Sequence, residues 1–243
     1  MLTFIIALLP SILLILFFFL SDKFNEPIKL TFQIFILGVV SIIPAFYLNN
    51  FILRIFSTGE KFNDALLTGF FAGGLVEEIL KFSILYFFIL KKKEFNEPMD
   101  GIVYGVAASL GFASLENLHY VYFRSSEFGL EEIHTAIFRA FTAVPMHGLV
   151  GCVMGFYFGL LAFTGNYKFL GYALVVPIIF HGTYNFLLSY NFFYAFFIVI
   201  ILLIFSIKLH NIVKTQQSYK KIESEKKNLF KSFNKFNYKS NYS

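Results

Sequence analysis

Seven long apolar runs, at roughly 2–20, 30–53, 65–90, 101–123, 138–163, 169–188 and 191–207, dominate the chain and leave little room between them. Each approaches the ~20 residues that carry a helix across the ~30 Å hydrocarbon core of a bilayer. In water such runs would need polar stripes at helical spacing, and most of them lack these. Composition agrees: 57% of the 243 residues are hydrophobic and 14% are charged, beyond the roughly half-apolar make-up of soluble domains. The expected fold is therefore an all-α polytopic transmembrane helical bundle of about seven spans, filling residues 1–207. The weakest boundary lies at Tyr190 and Asn191. Met1 to Leu20 has no basic residue before it and no small-x-small site after it, so it reads as a first span and not as a signal peptide. The lone Cys152 excludes an internal disulfide.

Lysine and arginine set the expected orientation. Lys23, Lys29, Lys91, Lys92, Lys93, Lys168 and the nine lysines from Lys208 onward fall on one side, and Arg54, Lys61 and Arg124 on the other. The N-terminus is thus expected outside and the C-terminus in the cytoplasm. The segment 208–243 opposes its nine lysines with only Glu223 and Glu225. It reads as a disordered cytoplasmic tail near anionic membrane lipids, with no nucleic-acid partner expected. One short repeat, Phe24-Asn25-Glu26-Pro27 and Phe95-Asn96-Glu97-Pro98, precedes the second and fourth spans. Asn before Glu-Pro is helix-start chemistry, an N-cap followed by a proline in the first turn. Glycines four residues apart (Gly69 and Gly73; Gly101 and Gly105; Gly151, Gly155 and Gly159) predict close packing of spans three, four and five.

Those same spans, with span six, carry groups that lipid tolerates poorly. Span three holds Glu77, Glu78 and Lys81, span four Glu116 and Asn117, span five His147, and span six His181 and Asn185. A charge at mid-span costs about 2.5–3.5 kcal/mol on insertion scales, and such groups face one another or water. Counting along the runs puts all of them in one slab, slightly outside the midplane. Glu77 and Lys81 are four apart and share a face, so the lysine can neutralise Glu77, while Glu78 points about 100° away toward another helix. His181 and Asn185 are also four apart. An acid pair in which one member is ionised and the other protonated suits general-base and general-acid work on water. His119 and His134 read as interfacial surface residues, Arg139 as a snorkelling group or a partner for a site carboxylate, and Cys152 as packing.

At this point the residues resemble the PrsW-type intramembrane proteases, relatives of the CAAX-processing and bacteriocin-immunity glutamate proteases. The matching pattern is Glu77-Glu78-x-x-Lys81, Asp100-Gly-Ile-Val-Tyr-Gly leading into Gly111-Phe112-Ala-x-x-Glu116-Asn117, Arg139, Pro145-x-His147 and His181-Gly-x-x-Asn185. It covers about 70–185 and leaves out the first span and the tail. The resemblance implies a multi-pass endopeptidase of a bacterial cell membrane that cleaves membrane-anchored, single-span proteins. First-site cleavage of an anti-sigma factor on its extracytoplasmic side is the namesake activity. It also implies a catalytic set of Glu77 and Glu78 with Glu116, His147 and His181; Lys81 and Asn185 complete the site as read from the sequence.

Two mechanisms fit. In one, Glu77 or Glu78 takes a proton from the attacking water while His181 and Asn185 stabilise the oxyanion. In the other, Glu116, His147 and His181 hold a divalent metal, most plausibly Zn2+, and a glutamate of span three is the base. No HExxH helix fixes that choice, and no Gly-x-Ser-x-Gly elbow supports a serine mechanism. A proton-coupled transporter would also place acids and histidines at the midplane, although the inverted repeats common there are lacking. A non-catalytic membrane scaffold is the third reading.

Overall fold

The computed structural model describes residues 1–240, with side chains described for all of these except 128, 192 and 223–240. Among the described residues every regular element is helical. The elements are α1 (Leu2–Ser21), α2 (Ile28–Phe56), α3 (Lys61–Leu66), a π-helix (Leu67–Val76), α4 (Glu77–Phe88), α5 (Pro98–His119), α6 (Glu132–Phe141), α7 (Ala143–Thr164), α8 (Lys168–Leu188) and α9 (Phe192–Ser240). A π turn, Tyr120–Arg124, and a 3-10 turn, Ser125–Phe128, follow α5. The π-helix joins α3 and α4 into one rod, and α6 with α7 makes another, so the rods follow the seven apolar runs.

Among the described residues five stretches are long and apolar enough to cross a membrane: Leu2–Ser21, Ile28–Phe56, Glu132–Thr164, Lys168–Leu188 and Phe193–Ile222. The two rods left over, α3–α4 and α5, are those bearing the acids. Helix α5 needs no apolar face for lipid, because every residue from Met99 to Ser114 is buried inside protein. Its glycines explain how the neighbours come so close. A Cβ on Gly155 of α7 would stand 2.0 Å from the Gly101 carbonyl oxygen, and one on Gly111 would stand 2.0 Å from the Phe35 carbonyl oxygen of α2. Helix α5 is therefore clamped between α7 and α2 by backbone-to-backbone contact.

Span five is not one straight helix. At Thr142 the backbone leaves the helical region (φ −124°, ψ −73°), and the Thr142 hydroxyl donates to the Phe138 carbonyl and accepts from Tyr184. The break lets α6 lie against α1 and turns Arg139 inward. The repeat before spans two and four differs in detail from its expected cap: Glu97, not Asn96, is the N-cap of α5, in a reciprocal box with Asp100, and Pro98 follows at the first helical position.

The expectation of a disordered tail from Lys208 does not hold for residues 208–222. Helix α9 continues through them, burying Leu209, Val213 and Gln217 on a stripe that prolongs Leu202 and Ser206 at three- and four-residue steps. Lysine counting misses that stripe, because it weighs charge and ignores periodicity. The side chains of 223–240, and residues 241–243 altogether, lie outside what is described. The weak boundary at Tyr190 and Asn191 is real: Asn191 caps α9, its side-chain oxygen accepting from the Phe193 amide at 2.9 Å.

Candidate active site

The glycine-rich stretch before the paired acids folds as a ten-residue π-helix, an element that seldom exceeds one turn and concentrates at functional sites. Its glycines press it onto α8. A Cβ on Gly69 would meet the Gly182 carbonyl at 2.7 Å, and one on Gly73 would meet the Asn185 amide nitrogen at 2.3 Å. With the two backbones in contact, the first turn of α4 delivers Glu77 and Glu78 directly to the α8 face that carries His181.

Glu78 is fully buried and bound on one oxygen by two partners: Lys81 Nζ at 2.8 Å and His181 Nδ1 at 2.7 Å. Glu77 is 5% exposed, accepts a hydrogen bond from Asn49 Nδ2 at 3.3 Å, and keeps its Oε2 free of any hydrogen bond. Lys81 therefore neutralises chiefly Glu78, three residues back, and stands 3.7 Å from Glu77. The i,i+4 expectation overlooked that i,i+3 partners share the same face. The ammonium also lies over the Phe112 ring, 4.4 Å from its centroid.

Hydrogen-bond capacity fixes the rest of the network. Lys81 Nζ reaches His147 Nδ1 at 3.1 Å; an ammonium only donates, so Nδ1 accepts and His147 Nε2–H donates to Glu116 Oε2 at 3.0 Å. Arg139 closes on Glu116 at 2.6 Å and donates from Nε to Asn117 Oδ1 at 2.7 Å. Asn117 donates to the Ala7 carbonyl of α1 at 2.7 Å. Arg139 is thus a partner for a site carboxylate, and its guanidinium stacks 4.1 Å from the Tyr120 ring centroid. His181 donates from Nδ1 to Glu78, which leaves its Nε2 lone pair 3.8 Å from Glu77 Oε2. The two imidazoles meet edge to face with centroids 4.8 Å apart.

Glu77, Glu116 and His147 line a cavity of about 330 Å³, together with Asn49, Asn185 and Tyr184. Glu78, Lys81 and His181 stand behind that wall. All seven sequence-chosen residues therefore converge, drawn from α4, α5, α7 and α8. For a metal, the grouping differs from the Glu116, His147 and His181 set read from the sequence. The carboxylate that joins the histidines is Glu77, whose donor atom lies within 4.8 Å of those of His147 and His181, whereas Glu116 is engaged by Arg139 and His147. A divalent ion fits this set once one His147 nitrogen is released from Lys81 or Glu116: two imidazoles and a carboxylate are an established zinc combination, Glu77 Oε2 lacks a partner, and Glu78 backs His181 as carboxylates back metal-binding histidines. Asn49 and Tyr120 escaped the sequence reading, and Phe112 entered it only as part of a motif, without a role. Only the Asn49-Asn50 pair, polar near the end of an apolar span, carried a signal.

Such an arrangement defines a multi-pass membrane protein with a hydrolytic centre enclosed by its helices. A family profile described as PrsW family intramembrane metalloprotease matches residues 26–209, wider than the 70–185 carried by the motifs. The chain is 37% identical over 184 residues to Protease PrsW of Bacillus subtilis (strain 168), covering 74% of this chain and 79% of that protein. It is 35% identical over 182 residues to Protease PrsW of Oceanobacillus iheyensis, covering 74% and 80%. Against Protease PrsW of Clostridioides difficile (strain 630) it is 29% identical over 226 residues, 90% and 93% of the two chains. No solved structure matches. The chain belongs to the PrsW family of intramembrane metalloproteases, and it is a peptide hydrolase acting on membrane proteins.

Proposed function

We propose that the peptide bond is cut in the cavity bounded by Glu77, Glu116 and His147, with Glu77 as the working carboxylate. The observation that supports this choice is the contrast between the three acids. Glu78 is held on Oε1 by Lys81 and His181 behind the cavity wall, and Glu116 is held on Oε2 by Arg139 and His147. Glu77 alone of the three both lines the cavity and keeps a buried oxygen without a partner while no hydrogen-bonded cation holds it.

A water between Glu77 and the two histidines loses its proton to Glu77 as its oxygen attacks the scissile carbonyl. The carbonyl oxygen, gaining negative charge, faces the Asn185 amide on the cavity wall, whose N–H groups suit an oxyanion. The proton held by Glu77 then passes to the departing amine, so the carboxylate returns to its starting state. Glu78 and Lys81 act by position: they hold the His181 ring and one nitrogen of His147. Arg139 fixes Glu116, and Asn49 fixes the second oxygen of Glu77. In the metal-dependent form of this scheme, a divalent ion held by Glu77, His147 and His181 would supply Lewis acidity to the water, and Glu77 Oε2 would then serve as its ligand in place of taking the proton.

The substrate class that fits is a single-span membrane protein, such as an anti-sigma factor, cut on its extracytoplasmic side in a bacterial plasma membrane. The depth of the acids in their spans and the lysine distribution support an outside N-terminus and a site opening slightly outward. Chelator treatment of the purified protein, with metal content and cleavage measured on the same sample, tests the metal. Cleavage that falls with the metal and returns on adding back Zn2+ supports a loaded site; full cleavage from metal-free protein leaves Glu77 as sole activator.

A further inference from the structure

At the opposite end of α5 from Glu116 lies a second polar cluster that proteolysis does not use. The two copies of Phe-Asn-Glu-Pro meet there. Glu26 comes from the α1–α2 turn, Glu97 and Asp100 from the start of α5, and Asp22 from the end of α1. All four are buried, at 3% exposure for Asp22, 5% for Glu26, 4% for Glu97 and 0% for Asp100. Asp22, Glu26 and Asp100 each offer an oxygen within 4.8 Å of the others.

Partners account for only part of this acidity. Tyr104 donates to Glu26, and Gln217 of α9 donates to Asp22 Oδ1 and to Glu97. Asp100 Oδ2 accepts from the amides of Asn96 and Glu97. Lys220 reaches the edge of the cluster, 3.2 Å from Glu97 and itself largely exposed. Asp22 Oδ2 remains buried with no hydrogen-bond partner, and Asp100 Oδ1, equally buried, has only the Glu26 carboxylate beside it. Buried carboxylate oxygens left bare beside other acids are costly unless something positive sits among them.

We propose that Asp22, Glu26 and Asp100 form a binding site for a hard divalent cation of the magnesium and calcium class, which also holds α9 against the two repeat turns. The donors are all oxygen, as such ions require, and opposite oxygens around a calcium ion stand about 5 Å apart, a spacing these three satisfy. Gln217, bonding Asp22 and Glu97 from α9, is the second-sphere strut that ties the tail helix to the ion's ligands.

The chain has no tryptophan, so tyrosine-sensitised Tb3+ emission gives a direct probe, with Tyr104 touching a proposed ligand. The full chain in an uncharged detergent is titrated with Tb3+, then with Mg2+ and Ca2+ as competitors. Expected is a sensitised signal that Mg2+ or Ca2+ displaces, is lost in D22N and D100N, and persists in E77Q. Y104F should lose the emission yet keep a bound ion by equilibrium dialysis. Should either aspartate variant fail to fold, dialysis of wild type against millimolar Mg2+ and Ca2+ decides. One ion retained by E77Q and displaced by Tb3+ supports the site, and no retained ion overturns it. Emission that survives D22N and D100N, or that neither competitor displaces, also overturns it. In those cases a proton shared between Glu26 and Asp100 relieves the crowding instead.

Discussion

Replacing Lys81 by methionine tests how the active-site charges hold one another. The ammonium is fully buried, 2.8 Å from Glu78 and 3.7 Å from Glu77. Methionine matches its length and removes its charge, leaving Glu78 as a buried anion whose remaining partner is His181. Removing one partner of a buried pair costs about 3–5 kcal/mol, because the other charge is stranded. That is a large share of the roughly 5–15 kcal/mol that stabilises a folded domain. Replacing both members removes the stranded charge, and a carboxamide in place of Glu78 still accepts from His181 Nδ1. K81M should therefore lose about 3–5 kcal/mol and the K81M/E78Q double variant markedly less, a coupling of 2 kcal/mol or more by the usual scale of contacting pairs. Equilibrium unfolding in mixed micelles of wild type, both single variants and the double variant reads this cycle. Strictly additive losses would mean that Lys81 does not compensate Glu78, and the network drawn around it would be wrong.

Three further outcomes follow from the glycine packing and from the contacts of Arg139 with Glu116 and Asn117. G155A places a Cβ 2.0 Å from a backbone oxygen that cannot swing away, so it should cost more than the about 1–3 kcal/mol of ordinary overpacking. By contrast G171A, with nothing within 4 Å, should leave the melting temperature essentially unchanged. R139K should cut cleavage almost as severely as R139Q, since a lysine cannot bond Glu116 and Asn117 together as the guanidinium fork does. Cleavage near wild-type rates in R139K would show that charge alone suffices there.

Much of this was legible in the sequence because lipid makes the code strict. A charge inside an apolar run must have a partner, so Glu77, Glu78, Lys81, Glu116, His147 and His181 announced one another before any coordinates. Glycine spacing likewise foretold the α5–α7 contact, since only a missing side chain lets backbones touch. Periodicity could not foretell the π-helix, which depends on tertiary contact with α8 and has no residue pattern of its own. Nor could it choose between Glu77 and Glu116 as partner for the histidines. That choice turned on Arg139, placed beside Glu116 by the break at Thr142. The tail from Lys208 to Ile222 follows a related rule: its lysines set the net charge, whereas Leu209, Val213 and Gln217 at helical spacing decide that it packs. Asn49 needed the fold, because its target lies on a different rod.

The most direct measurement is the cleavage rate of purified E77Q against wild type, on a single-span substrate that both bind. A carboxamide keeps the shape and the Asn49 contact but cannot take a proton. Loss of a positioned general base should slow turnover by about 10²–10⁴-fold, with the variant folded and still retaining substrate. If E77Q cut at a rate close to wild type, the peptide bond would have to be broken by some other group, and Glu77 could not be the carboxylate that does the work.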